Sequence, residues 1–185
     1  MATTHAPRKI GDRRRRGLTL LELAIVVAIT AIVAAAAVPS FTALIDARRL
    51  DGAATRLAAD VQLARSEAIA RNQPLRLSLF TGAGATCWIV HSGAASDCRC
   101  SDSAGAVCGA GARMVKGVVL ATSERVSVAG NVASIVFDPL HGTSTPTGTL
   151  RLVGARGSAV HHIVNVVGRV RSCSPAGAVP GYSSC

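Results

Sequence analysis

The stretch "RRRRGLTLLELAIVVAITAIVAAAAVP", residues 13–39, decides how the chain begins to fold. Four arginines and Gly17 are followed by residues 18–38, in which Glu22 is the only charged side chain. A helix over those residues is about 31 Å long, which matches the roughly 30 Å hydrocarbon core of a bilayer. The arginines before it predict that the N-terminus stays in the cytoplasm. We therefore expect a single membrane-spanning helix, with the rest of the chain on the other side of the membrane.

Glu22 is unusual in such a segment, because a charge at the centre of a membrane helix costs roughly 2.5 to 3.5 kcal/mol on insertion scales. A glutamate that is neutralised in lipid, or that reaches the interface, is the plain alternative to a functional role. The chain also differs from an ordinary secretory signal, which has a shorter apolar region before a small-residue cleavage site. The "AAAAVP" segment contains Ala-x-Ala options, so cleavage there is the competing interpretation.

The composition limits the size and chemistry of the domain beyond this helix. The chain of 185 residues is long enough for one domain with a real core. Hydrophobic residues make up 49% but aromatic residues only 3%, so Ala, Val, Leu and Ile must build that core. The net charge of +10 falls to +5 without the first 17 residues. A basic surface of that size suits nucleic acid or an acidic surface, and suits a merely soluble domain equally well.

After Pro39 the pattern changes to that of an amphipathic helix, which should stop near Asn72 because Pro74 disfavours helix at the residue before it. The charged residues between the apolar positions are most simply a solvated face. The apolar positions recur every three or four residues and form one stripe: Leu50, Ala54, Leu57, Val61, Ala64 and Ala68.

Beyond Pro74 the apolar period becomes two, which is typical of strands. Short Gly-, Ser-, Asn- and Pro-containing connections favour antiparallel hairpins, so the fold class is α+β, with the long helix packed on an antiparallel β-sheet head. The segment 92–111 is expected to be an exposed loop. The predicted strands are residues 75–80, 87–90, 112–120, 125–128, 133–137, 148–153 and 160–167.

Six cysteines follow the membrane segment, and an even number in an exported domain suggests disulfides. Cys173 and Cys185 bracket a short tail with two prolines and form the most economical pair. Closing a loop of that size stabilises the fold by about 3 kcal/mol in the entropy model. Cys98 and Cys100 are too close to bridge each other comfortably, so each should pair with Cys87 or Cys108.

Neither a metal site nor an enzyme is favoured by the remaining pattern. Zinc held by Cys98, Cys100, Cys108 and His91 is an alternative, but this spacing fits no standard zinc motif. His161 and His162 are adjacent on a predicted strand, so they point to opposite faces and one should be packed while the other is exposed. The sequence contains no nucleophile elbow, phosphate loop or HExxH motif. We therefore expect no cofactor and no catalytic residues, and keep enzyme activity as a third hypothesis.

The late segment "VVGRVRSC" carries the clearest binding pattern. Gly168 can supply a turn conformation that other residues avoid. Arg169 and Arg171 are two residues apart, so on an extended segment both project from the same side and can engage phosphates. The alternative is an ordinary pair of surface arginines at a hairpin.

The basic leader, Gly17, the apolar run and the spaced glutamate together resemble the processing site of type IV pilin-like proteins. The resemblance implies that a prepilin peptidase cuts between Gly17 and Leu18 and methylates the new N-terminal amine. It assigns Glu22 to the family's acidic position and Pro39 to its helix-kinking proline. Leu18 departs from the commonest first residue, phenylalanine. A buried carboxylate adds little net stability but can fix register, so Glu22 is expected to meet the N-terminal amine of a neighbouring subunit during assembly.

Within the pilin-like proteins, three segments resemble the minor pilin group that joins FimT and the type II secretion pseudopilin H: "LARSEAIARNQPLRLSL", "IVFDPLHGTSTPTGTLRL" and "VVGRVRSC". The resemblance implies a FimT-like minor pilin that binds double-stranded DNA through its phosphates for uptake in natural transformation. It assigns phosphate contact to Arg169 and Arg171 and the turn to Gly168. Lys116, Arg151 and Arg156 are possible extensions of the basic surface. Tyr182 is the one aromatic residue nearby, so binding should be weak and independent of sequence.

The same resemblance implies how the chain is organised and where it works. The expected parts are a leader (1–17), the membrane and assembly helix (18–39), the amphipathic half of the helix (40–73), the head (74–172) and a disulfide-tethered tail (173–185). Its partners would be other pilins or pseudopilins, prepilin peptidase and the inner membrane, with the head periplasmic and later part of a filament. The alternative function is a structural or assembly-priming minor pilin, or a secretion pseudopilin, without DNA binding.

Overall fold

The computed structural model describes Gly17 and residues 19–82, 84–101 and 105–185, with the backbone alone at positions 37, 39, 40 and 176. In that part of the chain one α-helix, α1, runs over Leu20–Ala70. Thr19, the residue before it, caps its first turn, because the Thr19 hydroxyl accepts a hydrogen bond of 3.2 Å from the backbone N–H of Glu22. It ends as Asn72 takes a positive φ of 48°, and Gln73 N donates to Ala68 O. This closing geometry is a common helix C-cap, and it agrees with the predicted stop near Asn72.

The chain divides into two compact units, of which the first is Met1–Phe41. Its described part is the apolar half of α1, where the large apolar side chains from Leu20 to Val38 are all more than half exposed. The most apolar window of α1 has a mean hydropathy of 2.6, and by length and composition α1 could cross a membrane. Pro39 lies inside α1, and the kink expected there stays a prediction. Residues 1–16 and Leu18, and so the leader and the expected new N-terminus, lie outside the described residues.

The second unit, Thr42–Cys185, contains the rest of α1 and the β-strands. All six members of the predicted apolar stripe, from Leu50 to Ala68, are fully buried, so that prediction is confirmed. Three of the six are alanines, whose small side chains leave room for the strands to pack on the helix. The strands are β1 (Leu75–Thr81), β2 (Ala85–His91), β3 (Cys98–Ser101), β4 (Gly105–Cys108), β5 (Met114–Ala121), β6 (Val126–Gly130), β7 (Ser134–Phe137), β8 (Ser144–Thr145), β9 (Gly148–Gly154), β10 (Ala159–Val164) and β11 (Val170–Cys173).

The strands form two main sheets and one separate hairpin. The first sheet has the order β5-β2-β1-β7-β8 and the second the order β11-β10-β9-β6, and every pairing within them is antiparallel. Val128 of β6 donates its N–H to Thr86 Oγ1 of β2 at 3.0 Å, which joins the two sheets. Their inner faces and the stripe of α1 share one core, with Trp88 and Phe137 as its largest side chains. The predicted α+β class, a long helix on antiparallel sheet, is confirmed.

The prediction that residues 92–111 form an exposed loop is wrong. This segment contains the hairpin β3–β4, in which Cys98 lies directly opposite Cys108 and is bonded to it. A second disulfide, Cys87–Cys100, joins the hairpin to β2. Cys98 is 1% exposed and belongs to a small second core with Cys87 and Ile89. The segment lacks the apolar alternation of a strand because cysteines, rather than large apolar side chains, make its contacts with the sheet.

The final residues are also more ordered than a flexible tail. The chain continues the second sheet as β11 up to Cys173, which is bonded to Cys185, the pair that the spacing favours. Ser174 N donates to Ser183 O at 2.9 Å, and the N–H of Cys185 donates to Ser174 O at 3.2 Å. Val179 is 5% exposed and joins the main core. The segment after β11 therefore packs on the second unit as part of its core.

Candidate functional site

The turn between β10 and β11 holds the arginine pair, and its backbone is closed by hydrogen bonds. Asn165 accepts the N–H of Gly168 on its carbonyl and the N–H of Arg169 on its side-chain Oδ1, both at 2.9 Å. Asn165 N donates to Arg169 O at 3.1 Å. Gly168 has a φ of +71°, a conformation that residues with a Cβ rarely adopt. The backbone that carries Arg169 is thus fixed before any ligand binds.

Arg169 and Arg171 both lie on the surface and line the same groove. Arg171 is on β11, opposite Ile163 of β10, and β11 is the outermost strand of its sheet. Ile163 and Asn165 line the same groove, which has a volume of about 670 Å³. The two guanidinium groups therefore open onto one shared groove.

A third guanidinium, that of Arg65, lines this groove from α1. Its Nε donates to the carbonyl oxygen of Gly142 at 2.9 Å, and the side chain is partly buried. The pattern along α1 placed Arg65 on the solvated face of the helix, so this residue was missed. No local signal could have found it, because the contact joins residues 77 positions apart in the chain.

Two hydrogen bonds tie the arginine turn to the turn between β7 and β8. Ser144 N donates to Val166 O at 2.8 Å, and Ser144 Oγ donates to Asn165 O. Gly142, whose carbonyl accepts from Arg65, belongs to the same β7–β8 turn. The two turns and the last part of α1 thus form one connected corner of the second unit.

The groove is positive because its lining contains three arginines and no carboxylate. The lining residues are Gln62, Arg65, Ile163, Asn165, Arg169, Val170 and Arg171. Glu67, a nearby acid on α1, forms an ion pair with Arg71. Among the described residues, the side chains of Arg169 and Arg171 have no hydrogen-bond or ion-pair partner. A guanidinium stays charged at any working pH and matches the two oxygens of a phosphate.

The structure brings only part of the wider predicted patch near this groove. Arg151 is exposed on β9, directly opposite His161 of β10, and so lies on the same outer face as Arg171. Arg156 lies in the β9–β10 turn, at the opposite end of β10, and its guanidinium is 3.8 Å from Asp46. Lys116 is on β5 in the other sheet and forms an ion pair with Asp60. Neither Arg156 nor Lys116 lines the groove.

Tyr182 is engaged inside the second unit rather than offered to a ligand. Its hydroxyl donates to Asp51 of α1 at 2.9 Å, and its ring packs against the main core. Burial, with the hydrogen bond to Asp51, raises the pKa of Tyr182 above its ordinary value. The described part of the groove lining therefore has no aromatic ring on which a base could stack.

The two adjacent histidines face opposite sides of the second sheet, as predicted. His162 is 1% exposed, and its Nδ1 lies 2.8 Å from Ser172 Oγ. Burial lowers the pKa of His162 to about 4, with His161 acting in the same direction and the backbone of Ala54 in the opposite one. Burial and the charge of Arg151 lower the pKa of His161.

The residues considered as zinc ligands have other bonding partners in the structure. Cys98, Cys100 and Cys108 are all in disulfides, and His91 is buried between Ser78 Oγ and Ser92 O, 2.9 Å from each. Among the described residues, no group of three or more His, Cys, Asp or Glu side chains could hold a metal ion. The candidate functional site is thus the groove lined by Arg65, Arg169 and Arg171, and not a metal centre.

Two family models match the chain. The model described as Type II transport protein GspH matches residues 53–168, and that of the prokaryotic N-terminal methylation motif matches residues 12–38. The first match ends at Gly168, so Arg169 and Arg171 lie just beyond it. No curated protein sequence matches the chain.

The fold is similar to that of the type IV minor pilin FimU of Pseudomonas aeruginosa strain PAO1. One crystal form of FimU gives a TM-score of 0.50 at 16% sequence identity and covers 68% of this chain and 92% of FimU. A second crystal form gives 0.49 at the same identity and covers 68% of this chain and 97% of FimU. At this identity the first likeness shows a shared fold and no more.

Proposed function

Because the chain belongs to the GspH family of type II transport proteins, within the minor type IV pilins and pseudopilins, we propose that it is a FimT-like minor pilin that binds DNA. Its apolar helix and methylation motif fit anchoring in the inner membrane, processing by prepilin peptidase and assembly with other pilins. The finer proposal is that the assembled subunit binds extracellular DNA without sequence preference, for uptake in natural transformation.

The observation that carries the DNA-binding proposal is the groove lined by Arg65, Arg169 and Arg171 without a carboxylate. A phosphate backbone needs several guanidinium groups at short spacing, and it supplies most of the affinity in non-specific binding. The closed turn at Asn165 and Gly168 lowers the conformational entropy that binding would cost. No aromatic ring serves as a stacking platform in the described lining, which favours duplex DNA and a weak, salt-sensitive interaction.

The alternative is a structural or assembly-priming pilin or pseudopilin that binds no nucleic acid. The extent of the family match favours it, because residues 53–168 stop short of Arg169 and Arg171. Both functions share the membrane helix, the cut after Gly17 and the role of Glu22. They differ only in what the groove binds.

DNA binding by the arginine pair separates the two functions. The chain from Leu18, in detergent, should bind a short DNA duplex with an affinity that falls steeply between about 50 and 200 mM salt. Replacing two phosphate-contacting arginines in R169Q/R171Q should reduce the slope of log affinity against log salt by about 2 and weaken binding at least tenfold. Titration of fluorescent duplex at several salt concentrations measures both quantities.

A matched control removes the same charge elsewhere. Arg48 and Arg56 are exposed on α1, at a distance along the helix from the groove. R48Q/R56Q should leave the salt slope unchanged and the affinity within about twofold. Equal weakening by the two double variants would assign the effect to net charge. If the wild-type chain shows no salt-sensitive binding, the DNA-binding proposal is wrong and the structural function is favoured.

A further inference from the structure

We propose that Arg65 of α1 is a third phosphate-binding residue of the groove, held ready for its ligand by the carbonyl of Gly142. This inference rests on the proposed DNA binding and extends it to a residue of the long helix. The ligand class is the same, a chain of phosphodiesters, and the binding surface becomes a corner built by the helix and two turns.

The first argument is the pose of the side chain. Arg65 Nε is already used, since it donates to Gly142 O at 2.9 Å. That bond leaves the two terminal nitrogens of the guanidinium, which have no hydrogen-bond or ion-pair partner among the described residues. Arg65 lines the groove together with Arg169 and Arg171. A guanidinium fixed through Nε presents the remaining N–H donors as a rigid fork, the geometry that suits a phosphate.

The second argument is the close packing of Arg65 against Gly168. A Cβ placed on Gly168 would lie 2.6 Å from Gly142 O, 2.8 Å from Arg65 Cδ and 2.9 Å from Arg65 Nε. A Cβ on Gly142 would lie 2.9 Å from the same Nε. Both turns therefore need glycine where the arginine side chain passes between them. The glycine that precedes the arginine pair thus has a second task, which is to make room for Arg65.

The third argument is entropic. Arg169 and Arg171 are exposed and must be ordered when they bind, whereas Arg65 is partly buried and already ordered. Immobilising a long side chain costs roughly 0.5 to 1.5 kcal/mol on binding. Arg65 avoids most of that cost, so it should contribute at least as much as either exposed arginine.

The salt dependence of DNA binding tests this role in the same chain from Leu18, solubilised in detergent and titrated with a short DNA duplex. R65Q should weaken binding about tenfold and reduce the slope of log affinity against log salt by about 0.9, the value of one phosphate contact. R65K keeps the charge without the fork, so it should keep the slope and lose a few-fold in affinity. R56Q, on the same helix but outside the groove, should change neither quantity.

Each outcome decides the matter. If R65Q weakens binding with the slope unchanged, or does not weaken it, Arg65 is structural and the inference is wrong. If the wild type shows no salt-dependent binding, the proposed function itself fails. If the wild type and R169Q/R171Q behave as expected but R65Q does not, only the inference fails.

If R65Q does not fold, the protection of arginines from chemical modification tests the same role in the wild-type chain. The wild-type chain is treated with phenylglyoxal, which modifies arginines, with and without the DNA duplex, and the modified sites are located by mass spectrometry. We expect DNA to protect Arg65 and Arg171 and to leave Arg56 reactive. Protection of Arg171 without protection of Arg65 would overturn the inference.

Discussion

At the scale of single residues, two polar side chains in the interior, His162 and Asp60, set conditions on stability. His162 faces α1 from the inner side of β10, and burial holds its pKa at about 4, against roughly 6.5 in an unfolded chain. Asp60 is 1% exposed and accepts the indole N–H of Trp88 at 2.7 Å while pairing with Lys116. Each polar group is kept in the core by partners from a different element.

The pKa of His162 predicts a pH dependence of the second unit. Between pH 6.5 and 4 the unfolded chain binds a proton that the folded chain does not, so the free energy of unfolding decreases as the pH falls through this range. The loss attributable to His162 is about 3 kcal/mol. H162Q should therefore show a flatter profile, measured by urea unfolding of Thr42–Cys185 from neutral to acidic pH. The exposed-site control H141Q should follow the wild type, and a steep profile in H162Q would contradict the assignment.

Removal of the Asp60 carboxylate should destabilise the fold strongly. D60A leaves the Trp88 N–H buried without its acceptor and Lys116 without its ion pair, at a cost of about 3 kcal/mol. E67A removes a carboxylate from the exposed ion pair with Arg71 on the same helix and should cost less than about 1 kcal/mol. Thermal or urea unfolding compares them, and equal costs would rule out a structural role for Asp60.

At the scale of elements, turns and disulfides fix the positions of the groove and of the β3–β4 hairpin, and the helix and the sheets form the framework on which they rest. The arginine turn is connected to the β7–β8 turn through Ser144, and both contact the end of α1 through Arg65. The hairpin β3–β4 is held to β2 by the Cys87–Cys100 disulfide. These connections join segments that are distant in sequence.

Gly168 in the arginine turn and Gly157 in the β9–β10 turn have nearly equal φ values. Comparing alanine variants of the two therefore separates the cost of backbone strain from the cost of close packing. A Cβ added to Gly157, which has a φ of +76°, would meet no atom within 4 Å, whereas one added to Gly168, at +71°, would meet three atoms within 3 Å. G157A should cost about 1 to 2 kcal/mol from its backbone conformation alone. G168A should cost roughly 2 kcal/mol more, because Gly142 and Arg65 must move. Unfolding free energies of the two variants measure the difference, and equal values would mean that Arg65 does not pack there.

At the scale of the whole molecule, Glu22 belongs to a helix start as well as to an expected assembly contact. Thr19 and Glu22 have the spacing of a capping box, and the Thr19 hydroxyl accepts the Glu22 N–H. That bond uses the backbone N–H of residue 22 and survives replacement there by glutamine or alanine. The reciprocal bond of a capping box, from the side chain to the Thr19 N–H, is open to a glutamine, which carries no charge, but not to an alanine. The cap and the assembly charge are therefore separable by experiment.

Incorporation into filaments tests which property of Glu22 matters. If its charge pairs with a neighbour's N-terminal amine, E22Q and E22A should both be cleaved after Gly17 yet incorporated at least about tenfold less than wild type, the equivalent of about 1.4 kcal/mol. Immunoblots of sheared filaments, with membrane fractions as the loading control, measure this. Normal incorporation of E22Q alongside loss in E22A would assign the role to a polar side chain at position 22, as in a capping box, rather than to its charge.

The sequence by itself determined the elements whose pattern is local and periodic. The stripe from Leu50 to Ala68 and the seven predicted strands (β1, β2, β5, β6, β7, β9 and β10) follow from periods that burial imposes on one face of a helix or sheet. The apolar run follows from its length and composition. The spacing also favoured Cys173–Cys185 and the common side of Arg169 and Arg171. Each of these depends on residues that are close together in the chain.

Only the tertiary structure decided which distant residues meet. It moved Asp60 and Asp51 from an expected solvated face into contacts with Trp88, Lys116 and Tyr182, and it took Lys116 away from the groove. It also brought Arg65 beside Gly168, although they are 103 positions apart in the chain. Helical periodicity predicts which face of the helix is buried. It does not predict which strand or turn will contact a polar residue of that helix, because that depends on the path of the chain between the two residues.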